Sequence, residues 1–309
     1  MERLDRILCV IDPTAEEQPA LGKARQLALR TDAVLELYVC DYDPALSGRP
    51  LFESPRLHEL REEFLTERVE YLEELADELR AVGVTAETHV HWDNPVYRGV
   101  LRRVAESAPD LVVKDTHHHS AIRRTLLTNT DWNLIRSCPV PLLLAKTGAW
   151  PARPTVLAAL DPEHVGEPVA TLDEEILSAT LTVAGKLGAE VHAAHAFLPA
   201  TLLTVLTGSG PLPAIPGVSV GEIVERERQR ISAVLAPVAE RFGLPASRIH
   251  LEQGSAAEML PRVARQLAAD LVVMGAISRS RLQEIFVGST AERVLEQLPC
   301  DVLVVRPAV

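Results

Sequence analysis

The chain has only four cysteines, and Cys9, Cys40, Cys138 and Cys300 are scattered with no CxxC pair among them. That spacing argues against a disulfide framework or a zinc knuckle. Cys9, Cys40 and Cys300 sit inside apolar runs, where a thiol behaves as a small hydrophobe. No uninterrupted run of about eighteen apolar residues occurs, so no membrane-spanning helix is expected. The opening MERLDRILCVIDP is acidic and its apolar run is too short for the core of a secretion signal. Positive charge is also in deficit: 31 Lys and Arg stand against 43 Asp and Glu, a formal net charge of −12. A binder of phosphate backbones carries the opposite balance, so nucleic acid is not an expected partner. Together these absences predict a cytoplasmic protein that engages neither membrane nor nucleic acid. Catalytic signatures are missing as well. There is no Walker lysine motif, no HxGH-like pair and no GxSxG, so an ATP-hydrolysing reading lacks a residue to activate water.

What is present is a repeat. At 309 residues the chain is about twice the length of an ordinary domain, and two cores are the default expectation. Residues 7–13, ILCVIDP, match residues 156–162, VLAALDP; each is an apolar run stopped by Asp-Pro. Asp110 to Leu144 then aligns without gaps on Asp270 to Val304, keeping DLVV, a Ser, a Thr, a Pro and the last apolar strand in register. A duplication with domains 1–147 and 148–309 follows, the linker falling in the turn-rich Lys146 to Pro154.

Periodicity gives both halves the same order of elements. In the first half helices are expected at 19–30, 57–79, 96–108 and 132–137, with strands at 34–39, 84–91, the DLVV run and PLLLA. In the second, strands are expected at 155–160, 190–196, 248–253, 270–274 and 301–305, and helices at 172–187, 221–242, 256–268 and 289–297. The strands are continuous apolar runs rather than alternating ones, the pattern of parallel strands covered on both faces. The expected fold class is therefore α/β: two tandem, doubly wound domains with five parallel strands each, packed as a pseudo-dimer. Homodimerisation beyond that is a further expectation.

In open α/β sheets ligands bind beyond the carboxyl ends of the strands. Asp12 and Asp161 stand at those ends, as do Gly275 and the Gly288-Ser289-Thr290 run that opens a helix. Glycine lets backbone approach an anion, and free N–H groups at a helix start favour phosphate oxygens. Here the chain resembles the universal stress protein family in its tandem, E-type form. Nucleotide-binding members carry Gly-x2-Gly-x9-Gly-Ser/Thr after the fourth strand and an Asp ending the first; this chain has Gly275, Ser278, Gly288 and Ser289, with Asp161 in the first-strand position.

The resemblance implies an adenine nucleotide alpha hydrolase-like fold and a stress-response sensor with no chemistry of its own. It implies no required cofactor, and ATP or AMP held by Leu160, Asp161, Met274, Gly275, Ile277, Ser278, Gly288, Ser289 and Thr290. Ser278 replaces the family's second glycine. In the first half Asp115, His118 and Thr128-Asn129 replace the motif residues, and an acid at 115 repels phosphate. A first-half pocket would be formed by Asp12, Asp115 and His117. His117, His118 and His119 read as a polar loop rather than a metal site, since three adjacent residues do not converge on one ion. His192 and His195 lie three apart on one strand, hence on opposite faces. Asp131-Trp132 reads as a helix start with Asp131 capping. The apolar, Pro- and Gly-rich segment Leu198 to Val220 reads as a lid that makes the second-half pocket lipophilic. A lipophilic small-molecule binder and a non-binding adaptor therefore stay open beside the nucleotide sensor, with a slow ATPase behind them.

Overall fold

The DLVV aspartates explain why both halves fold alike. Asp110 accepts hydrogen bonds from the backbone N–H of Asp5 at 2.7 Å and of Arg6 at 2.9 Å. Asp270 does the same for Thr155 at 2.8 Å. Each carboxylate satisfies the first amides of its half's opening strand and sets that strand beside DLVV. These contacts come from a computed structural model that describes residues 3–47, 55–118, 125–146, 148–162, 172–199, 219–275 and 288–306. Ile277, Ser278 and most of the apolar segment, 200–218, lie outside the described residues.

The first half runs β1 (Arg6–Val10), α1 (Pro19–Thr31), β2 (Val34–Asp41), α2 (Pro55–Ala81), β3 (Ala86–Trp92), α3 (Val96–Ser107) and β4 (Leu111–Asp115). A short hairpin of β5 (His117–His118) and β6 (Thr125–Leu126) follows, then α4 (Asn129–Ser137) and β7 (Leu142–Ala145). The second half runs β8 (Thr155–Ala159), α5 (Leu172–Leu187), β9 (Glu190–Phe197), α6 (Val220–Arg241) and β10 (Ile249–Gln253). It ends with α7 (Ala256–Gln266), β11 (Leu271–Gly275), α8 (Ser289–Gln297) and β12 (Asp301–Val305). Most of these bounds fall within two residues of those read from periodicity.

The halves share one ten-stranded sheet in the order β10-β9-β8-β11-β12-β7-β4-β1-β2-β3. Every neighbouring pair is parallel except β12–β7, which is antiparallel with Leu303 opposite Leu143. Each half thus contributes a five-stranded parallel unit, and the two join edge to edge, which covers both terminal strands. The expected pair of cores is accordingly divided by sheet face, not by half. One face is packed by Leu27, Leu72, Ile176 and Ile231, from α1, α2, α5 and α6. The other is packed by Val100, Ile135, Val263 and Leu295, from α3, α4, α7 and α8.

A buried ionic junction sits where the halves meet. Asp301 at the start of β12 is 3% exposed and Lys23 of α1 is 2% exposed. Asp301 Oδ1 accepts from Lys23 Nζ and from the Lys146 backbone N–H, each at 2.7 Å. Lys146 Nζ reaches the Leu298 carbonyl. Burial lowers the Lys146 pKa to about 8 and raises that of Asp301. All four cysteines are buried and unbridged, and among the described residues no helix is long and apolar enough to cross a membrane.

Candidate functional site

Strand order reverses direction between β1 and β4 in the first half and between β8 and β11 in the second, so each half has a crevice at its carboxyl end. In the first half this crevice is a cleft of about 510 Å³. Asp12 and Asp115 both line it. Asp12 is engaged locally: its Oδ1 accepts from Thr14 N–H at 2.9 Å and from Thr14 Oγ1 at 2.6 Å. Asp115 ends β4 and turns onto the first turn of α1, where its Oδ1 accepts the Ala20 N–H at 2.5 Å. It is 8% exposed, and burial raises its pKa to about 6 although Lys114 and Lys23 oppose the rise. Of His117 only the backbone is placed, paired in the short hairpin opposite Leu126. The run of three histidines is therefore not simply a loop, because His117 and His118 form strand β5.

The helix following this hairpin is closed at its start. Thr128 is the N-cap of α4 and Asp131 the third residue of a capping box. This corrects the expectation that Asp131 itself is the cap. Sequence spacing alone does not distinguish the two positions, since Thr and Asp both suit an N-cap. Asp131 Oδ2 accepts from Thr128 N–H at 2.7 Å and from its hydroxyl at 2.8 Å. Its Oδ1 lies 2.9 Å from Lys114 Nζ. A buried carboxylate thus occupies the end of the helix that would otherwise face an anion.

The second half repeats the order of elements with different residues at the aligned positions. On the gapless alignment Lys114, Asp115, Thr128 and Asp131 correspond to Met274, Gly275, Gly288 and Ala291. Gly288 is the N-cap of α8 and makes no side-chain capping bond. Met274 is buried. Gly275 ends β11 against α5, where an added Cβ would stand 2.6 Å from Leu172 Cδ2. Asp161 follows β8, and its N–H donates to Asp173 Oδ1 at 2.9 Å. Leu160 is buried beside it, its carbonyl 3.0 Å from His195 Nδ1. Thr290 is exposed in the first turn of α8, and Ser289 opens that helix. The strand ends and the helix start expected at this crevice, Leu160, Asp161, Met274, Gly275 and Gly288, are all at the carboxyl edge of the sheet.

Among the other described histidines, His195 reaches the end of β8 through the Leu160 carbonyl, whereas His192 and His250 lie within β9 and β10. His195 is buried and His192 is not on its face. His192 Nδ1 instead lies 3.0 Å from His250 Nε2 on the neighbouring strand. That pairing was missed because it joins residues far apart in sequence. A cluster of Glu36, Glu87 and His89 has ligand atoms close together, but Arg6 pairs with Glu36 at 3.0 Å and with Glu87 at 2.7 Å. Arg103 also reaches Glu36. Two guanidiniums already neutralise those carboxylates, which marks an ion-pair network.

The fold defines a class: a tandem, doubly wound α/β protein with a switch point in each half. The model of the universal stress protein family matches residues 3–146 and again 170–306. The chain belongs to that family. It is 29% identical over 308 residues to universal stress protein E of Escherichia coli K12, covering 99% of this chain and 95% of the relative. A putative universal stress protein structure from Pseudomonas aeruginosa superposes with a TM-score of 0.74 at 27% identity, covering 99% of this chain and 95% of that one. A universal stress protein from Archaeoglobus fulgidus shares the fold with a TM-score of 0.64 at 16% identity, over 99% of this chain and 97% of that one.

Proposed function

We propose that this universal stress protein is a reversible ligand sensor without chemistry of its own, and that its second half binds an adenine nucleotide, ATP or AMP. One contrast carries the reading. At equivalent helix starts the first half places Thr128, Asp131 and Lys114 in a closed capping network, and the second half has Gly288, Ala291 and Met274 in their places. Removing the stopper leaves amides at the start of α8 for phosphate oxygens, next to a glycine that ends β11. Asp161, at the end of β8, is the residue for the nucleoside end. The four buried, unbridged thiols suit a reducing cytoplasm.

Rebuilding the stopper is the test. Gly288 has φ −69° and ψ 143°, extended backbone that any residue adopts, so Gly288→Asp introduces a capping carboxylate without backbone strain. Calorimetric titration is expected to show ATP binding in the wild-type chain and at least a roughly tenfold loss in Gly288→Asp, with an unchanged Tm. Equal affinity in the two proteins contradicts the assignment.

A further inference from the structure

The first-half cleft carries the opposite charge from a phosphate site. Asp12, Glu17, Asp41 and Asp115 all line it, and Lys114 is the one cationic lining residue among the described residues. That lysine is committed elsewhere, 2.9 Å from Asp131 and donating to the Asp115 carbonyl at 2.9 Å. Asp41 is paired with Arg68 at 2.8 Å and Asp12 bonds Thr14. Asp115 is different. Its Oδ1 is taken by Ala20, but its Oδ2 is buried and has no hydrogen-bond partner among the described residues. A buried carboxylate oxygen left without a donor is costly, and a ligand that brings one recovers the loss. Val10, Ile11 and Val96 give the same cleft apolar wall, matched to alkyl carbons rather than to a polar chain.

We infer that the first-half cleft binds a small organic cation with N–H donors on a short alkyl chain, an amine or guanidine, seated on Asp115 Oδ2. An ammonium or guanidinium makes a charge-assisted bond to that oxygen, while Asp12 and Glu17 add attraction at longer range. A polyanion meets the same groups as repulsion. This site is separate from the second-half crevice and does not depend on nucleotide binding there.

Agmatine, which has a guanidine and an amine on four methylenes, is a suitable probe. Calorimetric titration into the full chain at pH 8 is expected to give saturable binding with Kd below about 1 mM. Asp115→Asn keeps the shape and the Ala20 contact but removes the charge, and is expected to weaken agmatine at least about tenfold. The exposed Glu17 gives a second variant with little bearing on folding; Glu17→Gln is expected to weaken binding about threefold. Absence of saturable heat up to about 10 mM agmatine overturns the inference. Agmatine binding that is equal in wild type and both variants overturns it too. ATP titrated into the same samples reads the second half independently, since Asp115→Asn leaves that half untouched.

Discussion

Replacing Asp301 by alanine should unfasten the two halves of the sheet. The carboxylate is 3% exposed and takes two donors through Oδ1, Lys23 Nζ and the Lys146 N–H, each at 2.7 Å. Without it the Lys23 ammonium, 2% exposed, keeps only the Lys146 carbonyl at 2.5 Å and the Trp150 ring at 6.0 Å among the described residues. Leaving one member of a buried pair uncompensated costs about 3–5 kcal/mol. At about 2 °C per kcal/mol for a chain this long, the midpoint should fall by about 6–10 °C. Thermal unfolding followed by circular dichroism measures it. If the loss comes from the stranded ammonium, adding Lys23→Met to Asp301→Ala should recover most of it, because no buried charge is then left alone. A midpoint within about 1 °C of wild type, or a double variant worse than the sum of the singles, refutes this reading of the junction.

Other perturbations follow from the same kind of accounting. Burial raises the Asp115 pKa from its ordinary 3.8 to about 6, so the native state holds that proton more tightly than the unfolded chain. The stability it lends is complete below about pH 4 and is lost as pH rises past 6; Asp115→Asn should therefore gain up to about 3 kcal/mol on wild type between pH 3 and pH 8, read from urea midpoints. Gly99 in α3 has no room for a methyl group, since a Cβ there would lie 2.4 Å from Cys40 Sγ. Gly99→Ala should cost about 1–3 kcal/mol, and Cys40→Ala in the same chain should return most of it. Asp131 is fully buried between Lys114 and Thr128; Asp131→Ala should lower stability by about 3–5 kcal/mol in chemical denaturation, whereas its second-half counterpart is already alanine.

Much of the architecture is legible because it rests on local pattern. DLVV and VLVV are apolar without alternation, and that continuity is what a strand buried on both faces needs. Helix bounds followed from apolar spacing, and the repeat followed from matching strand ends. What was not legible depends on contacts between residues far apart. The family resemblance points to LLLAK and VLVVRP as the segments that pair the domains, and β7 does pair with β12, but neither run states that the pairing is antiparallel or that the cores then follow the faces. The junction joins positions 23, 146 and 301, and His250 meets His192 only after β10 has docked on β9. At the sites, Asp115 was readable as an acid in place of a glycine. Its turn onto the start of α1 was not, because a side chain's direction is set by packing. The loss of the capping network in the second half, by contrast, lies open in the aligned residues: Thr128 against Gly288, Asp131 against Ala291 and Lys114 against Met274. Read only as a motif with a missing glycine, that contrast stays hidden.

Native mass spectrometry of the full chain with ATP tests the asymmetry of the two halves most directly. A single nucleotide per chain, lost in Gly288→Asp and kept in Asp115→Asn, is the expected result. Two nucleotides per chain, or one that survives Gly288→Asp, would contradict it.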